Sequence, residues 1–194
     1  MTAPAHCIQP LICTIGHSTH PLEEFIELLR INEVVHVLDV RTVPRSQHNP
    51  QFGIEVLPAS LQEAGIRYTH LPGLGGLRRT RPDSPNGGWR NASFRGYADY
   101  MQTSEFAKNV EQVMCLAGRE RCALMCAEAV PWRCHRSLIA DALTVRGVRV
   151  EDIVGPKARK LHKLTPWAHA DGLRITYPPG PVSAPAQASA MELP

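Results

Sequence analysis

The chain has 194 residues, 43% hydrophobic and 20% charged, close to the globular average, so a full core can form without disulfide or metal staples. The net charge of +3 is too small to mark a dedicated nucleic-acid binder, and no apolar run reaches the length of a membrane span. The first residues, MTAPAHCIQP, do not read as a secretory signal, and six cysteines in so long a chain read as reduced thiols, hence a cytoplasmic setting.

Residues 1–10 read as an extension. LICTI (11–15) is the first expected strand and ends at Gly16-His17-Ser18. PLEEFIELLRIN then sets Leu22, Phe25, Ile26, Leu28 and Leu29 at helical spacing, with Pro21 suited to the first turn. VVHVLDV (34–40) is nearly continuous and rich in β-branched residues, as in a strand covered on both faces, and it ends at Arg41. A polar loop with Pro44 and Pro50 leads to a helix over 55–64, stopped by Gly65. IRYTHL (66–71) is the third strand and runs into PGLGG. A Gly/Pro-rich loop fills 78–93, and 94–117 reads as helix in two pieces meeting near Thr103-Ser104. RCALMC (121–126) is the fourth strand, SLIADALTVRG (137–147) a helix closed by Gly147, and VRVEDIV (148–154) the fifth strand. Residues 156–170 are basic and read as helical; 171–194 read as a tail, disordered from Pro178 onward, where the composition is low in complexity.

Strands alternating with helices predict a single α/β domain over 11–170: three layers, an open, mostly parallel sheet with flanking helices. In such sheets ligands bind beyond the carboxyl ends of the strands. Four of those ends carry polar or glycine-rich sequence: GHS at 16–18, DVR at 39–41, PGLGG at 72–76 and CAE at 126–128.

The stretch CAEAVPWRCHRSLIAD (126–141) concentrates the chemistry. A helix starting near Cys134-His135-Arg136 aims its unpaired N–H groups into the crevice, which favours a thiolate or a bound anion. Arg41, Arg45 and Arg136 are the candidate anion contacts, because the planar guanidinium fork suits phosphate and carboxylate. Cys126 and Cys134 are alternative nucleophiles, and Glu128 and His135 are candidates to move a proton. Cys126 reads equally as an inert buried thiol. The AEAVPW that follows it is not the glycine-rich cradle of a thiol phosphatase, and Glu128 would repel a dianion. Asp39, two residues before Arg41, faces the same side of its strand and reads equally as a catalytic acid or as the arginine's partner. Nothing in the sequence requires a cofactor, although Cys126, Cys134, His135 and His17 are zinc-ligand types that an irregular catalytic metal site would accept. Gly75 and Gly76 would let backbone approach a ligand. Residues 78–95 hold five arginines against one acid, a local +4, and suit either a lid over the pocket or a contact to a phosphate backbone. Trp89 and Trp132 are candidates to stack on a base.

The ordered set GHS, DVR, Pro44-Arg45-Ser46, Leu74-Gly75-Gly76, Cys126-Ala127-Glu128 and Cys134-His135-Arg136 resembles the family catalogued as domain of unknown function 488, over about residues 11–155. The resemblance implies a single α/β domain in a bacterial-type protein and brings no settled reaction. It also implies that His17, Ser18, Asp39, Arg41, Arg45, Ser46, Glu128, Cys134, His135 and Arg136 form the family's site. The last strand departs from the pattern: Glu151-Asp152 stand where the family often has a histidine. The expectation is an enzyme acting on an anionic, phosphate-bearing or nucleotide-like ligand. A nucleic-acid-binding module and a zinc or iron protein are the alternatives. The oligomeric state is left open.

Overall fold

The structure, a computed structural model, describes residues 10–180. The expected extension before Pro10 and most of the expected disordered tail lie outside the described residues.

Eight strands and five α-helices follow in chain order: β1 (Leu11–Gly16), α1 (Leu22–Ile31), β2 (His36–Asp39), α2 (Leu57–Glu63), β3 (Arg67–His70), α3 (Ala92–Tyr100), α4 (Ser104–Ala117), β4 (Cys122–Cys126), α5 (Arg136–Thr144), β5 (Arg149–Gly155), β6 (Ala158–Leu161), β7 (His169–Asp171) and β8 (Arg174–Thr176). The main sheet runs β3-β2-β4-β1-β5-β6, with the first five strands parallel and β6 antiparallel on the edge. The fold is therefore α/β, with a mostly parallel mixed sheet.

Alternation along the strands sorts the core into two layers. Ile12, Leu38, Leu124 and Val150 face one side and meet residues of α3, α4 and α5. Cys13, Ile15, Val37, Ala123 and Met125 face the other and meet α1 and α2. β2 and β4 are buried along their whole length, which is why both read as unbroken apolar runs. In α1 the inward positions are Phe25, Leu28 and Leu29, each worth about 1.5–3 kcal/mol on burial. The break between α3 and α4 has a local cause: the Thr103 hydroxyl accepts from Phe106 N–H and starts the second helix. Gly65 and Gly147 end helical segments at φ 76° and 78°, where a side chain would be strained.

Two expectations need correction. Residues 156–170 are not helical. Pro156-Lys157 turn the chain straight back, and β6 pairs with β5, so these residues satisfy their backbone on the sheet edge. Nor does the folded body stop at 170. β7 and β8 form a hairpin about Gly172-Leu173, with Gly172 at φ 57°. Beyond it Tyr177 is fully buried, donating its hydroxyl to Asp141 at 2.8 Å, while its N–H reaches the Asn86 side-chain oxygen at 2.9 Å.

Candidate active site

A cleft of about 750 Å³ opens at the carboxyl ends of β1, β2 and β4, the edge that the parallel topology selects. Its walls bring together His17 and Ser18 from β1, Arg41, Arg45 and Ser46 from beyond β2, and Gly76 from beyond β3. Cys126 and Glu128 at the end of β4, with Cys134 and His135 before α5, complete it. Ten expected residues from four separated stretches thus share one cavity. The backbone explains how. His17 and Ser18 N–H extend the β1–β4 pairing onto the carbonyls of Cys126 and Ala127, each at 2.9 Å. Gly16 allows the crossing, since a Cβ there would collide with the Glu128 carbonyl.

Three expected site residues do not line the cleft. Asp39 is fully buried beneath it, gripping the Arg41 guanidinium through both carboxylate oxygens and accepting from Tyr68 Oη at 2.7 Å. It is the partner of the arginine, not an acid facing substrate. Gly75 faces Thr42, where a Cβ would strike its side chain. Arg136 is 1% exposed and lies under the floor. Its Nη2 donates to the Glu128 carbonyl and its Nη1 to Thr14 Oγ1 at 3.4 Å. It props the β4–α5 loop, and the arginine of this stretch that lines the cleft is Arg133. Arg133 stands three residues before Arg136 on a short 3₁₀ turn, Pro131–Arg133. Sequence could not choose between them, because that turn breaks the helical spacing.

The cations of the cleft are of two kinds. Arg41 is committed: besides Asp39, it donates to the Phe52 carbonyl at 2.8 Å and to His17 Nε2 at 3.2 Å. Burial works against its charge, but the Asp39 hydrogen bonds and charge outweigh that and raise its pKa. Arg45 and Arg133 are exposed and have no side-chain partner among the described residues. They are free to meet an anion. His17 donates Nδ1–H to the Ser18 carbonyl at 2.9 Å and stacks on Phe52 at 4.2 Å. Burial, with Arg41 beside it, lowers its pKa to about 4, so the ring is neutral at pH 7.

At the floor, Cys126 Sγ, Cys134 Sγ and His135 Nδ1 lie within 4.8 Å of one another. His135 donates Nε2–H to the Val40 carbonyl at 2.9 Å, which leaves Nδ1 with its lone pair facing Cys134 Sγ at 3.7 Å. The Arg136 N–H, at the start of α5, points to the same sulfur at 3.5 Å. The hydrogen bond from Cys126, together with His135 and Arg136, holds the Cys134 thiol well below the usual cysteine range despite burial. The Cys126 thiol is pushed up by that same shared hydrogen bond and by burial. Of the two candidate cysteines, Cys134 is the one built to be a thiolate. Gly76 holds the imidazole in place from above: a Cβ there would sit 2.6 Å from Nδ1.

The arginine-rich segment is pinned. The Asp99 carboxylate accepts from Arg81 N, Ser84 Oγ and Asn86 Nδ2, and Asn86 is fully buried. Arg78 lies 3.6 Å over the Tyr100 ring and donates to the Gly73 and Gly75 carbonyls. Such anchoring fixes the segment beside the cleft, to whose lining it contributes Ser93 and Phe94.

The family model for Domain of unknown function DUF488 matches residues 21–143, more than half of the chain. The chain belongs to the DUF488 family. The match includes the cleft residues from Arg41 to His135; His17 and Ser18 lie just before it, and β5 just after. No curated protein and no solved structure shows a significant match. At the departure from the family pattern, Asp152 on β5 is buried and accepts from Thr14 Oγ1 at 2.6 Å. His162, beyond β6, reaches to within 3.9 Å of its other oxygen, so this DUF488 chain has a histidine beside that position after all. All five described cysteines are free thiols, and no described helix is long and apolar enough to cross a membrane.

Proposed function

We propose that this DUF488 protein is a cytoplasmic enzyme that turns the Cys134 thiolate on an electrophilic centre of an anionic, phosphate-bearing or nucleotide-like substrate. The observation that carries the reading is the surroundings of Cys134 Sγ: a lone-pair nitrogen of His135, a helix-start N–H and a neighbouring thiol, in a cleft that two unpaired arginines also line. Arg45 and Arg133 hold the anionic group. His135 Nδ1 takes the Cys134 proton, and the sulfur forms a bond to carbon or phosphorus. The leaving group departs with its electron pair and receives that proton. Glu128, in the same cleft, is placed to deprotonate a second nucleophile that releases the product from sulfur.

Residue-resolved alkylation with iodoacetamide across pH tests this, with metal content measured on the same untagged sample. Cys134 is expected to react fastest and to titrate below the free-thiol value of about 8.5, at least tenfold ahead of Cys122 at neutral pH. Cys126→Ala is expected to move that titration upward. Equal rates for Cys134 and Cys122 would sink the proposal.

One observation favours a second reading. The Sγ–Nδ1 separation of 3.7 Å is close to the ligand spacing of about 3.5–3.8 Å that tetrahedral zinc imposes with bonds of about 2.0–2.3 Å. Cys126, Cys134 and His135 would then be three ligands with the fourth position open to the cleft, and Val40 would fix the histidine tautomer. About one zinc or iron per chain selects this reading over the nucleophile.

A further inference from the structure

A second pocket of about 690 Å³ lies behind the Pro131–Arg133 turn. All three tryptophans of the chain, Trp89, Trp132 and Trp167, line it. Trp89 is packed in an aromatic cluster, 5.0 Å from Trp167 and 4.7 Å from Phe94. Trp132 is different. It is 65% exposed and has no ring partner among the described residues, although its neighbours Pro131 and Arg133 are held in a tight turn. Leaving so large an apolar ring in water forgoes burial worth a few kcal/mol, unless something covers it. Trp167, 44% exposed, stands on the same pocket.

The charge at the pocket says what chemistry would cover these rings. Lys160 and Lys163 line the pocket, are exposed and have no ion-pair partner among the described residues. The acidic group of the pocket, Asp152, is already engaged by Thr14. A planar aromatic ring with an attached anion matches this set: apolar faces for stacking and two free ammonium groups.

We propose that this pocket is a mononucleotide site, with the base against Trp132 and Trp167 and the phosphate at Lys160 and Lys163. Its size suits such a ligand. The site is separate from the thiol cleft, and Pro131–Arg133 divides the two: Trp132 lines one and Arg133 the other. The proposal does not depend on the reading of Cys134.

The protein carries its own reporter, because every tryptophan borders the pocket. Titration of the full chain with AMP is expected to quench the intrinsic fluorescence saturably, while inorganic phosphate at the same concentration does not. Equilibrium dialysis, which needs no fluorophore, is expected to show AMP affinity falling about tenfold or more in Trp132→Leu. A clear fall is also expected in Lys160→Ala/Lys163→Ala. These residues are exposed, so the fold should survive their replacement. Arg45→Ala, in the other cleft, is expected to leave AMP affinity unchanged. No saturable AMP binding would overturn the proposal, as would binding that ignores Trp132. Tight binding of a short single-stranded oligonucleotide with a steep salt dependence, and none of AMP, would overturn it in favour of a strand-binding surface.

Discussion

His36, Glu120 and Cys122 bring their nitrogen, oxygen and sulfur atoms within 4.8 Å at the amino ends of β2 and β4, and Cys126, Cys134 and His135 do the same at the carboxyl end of the sheet. In the first group both imidazole nitrogens and one carboxylate oxygen are hydrogen-bonded, and the other oxygen is ion-paired. His36 Nδ1 meets Glu120 at 2.7 Å, its Nε2 meets Thr69 at 2.8 Å, and Arg67 pairs with the remaining Glu120 oxygen. The Cys122 thiol has only a backbone carbonyl to donate to, and burial pushes its pKa up to about 11. In the second group one imidazole nitrogen is fixed and the other is free, and a thiol and a helix-start N–H converge on one sulfur. Residue types alone do not distinguish a satisfied cluster from a reactive one. The number of uncommitted lone pairs and donors does.

The largest effect that would sharpen this contrast lies under the reactive end. Asp39→Asn leaves Arg41 buried without a countercharge, and breaking such a pair costs about 3–5 kcal/mol. Urea unfolding is expected to show that loss, with the Cys134 alkylation rate falling as the β2 end loosens. A loss no larger than that of an exposed ion pair would mean that water reaches Arg41.

Much of the reactive end was legible in the sequence, because strand ends can be found from periodicity and parallel topology then gathers them. His17, Arg41 and Cys126 followed from that rule, and Cys134 and His135 from the helix start expected beyond the fourth strand. What escaped depended on side-chain direction. Arg133 and Arg136 are near in sequence, yet a 3₁₀ turn sends one into the cleft and the other beneath the floor. The Arg41–Asp39 pair was visible as a same-face spacing, but its burial was not. The edge strand β6 and the hairpin β7–β8 escaped because strands of three or four residues are too short for a period to stand out: β6 and β7 are exposed throughout, and the alternation of Leu173, Ile175 and Tyr177 runs straight into Pro178-Pro179-Gly180.

A smaller effect concerns pH at the same end. The pKa of His17 is lowered from 6.5 to about 4 by burial, so the unfolded chain binds a proton that the folded chain refuses. The contribution of this group is complete above pH 6.5, erodes as pH falls and is gone below about 4. With about 1.4 kcal/mol per unit, it amounts to roughly 3–4 kcal/mol. His17→Gln keeps a donor and an acceptor and removes the titration. The stability of the variant is therefore expected to fall less steeply than wild type between these pH values. Parallel curves would assign the acid sensitivity to the carboxylates instead.

The smallest effect tests the quiet end. Glu120→Gln removes the charge that joins His36 to Arg67. Arg67 is 66% exposed, so it rehydrates, and His36 retains Thr69, which limits the cost to about 1–2 kcal/mol. The neutral amide still accepts a hydrogen bond, and no new donor or cation comes to the Cys122 sulfur. Its alkylation is expected to stay slow at neutral pH, far behind Cys134, in wild type and variant alike. If Glu120→Gln instead brought Cys122 up to the rate of Cys134, the carboxylate alone would have been suppressing it. Reactivity would then follow local charge, not the free imidazole nitrogen and helix-start amide that only Cys134 possesses.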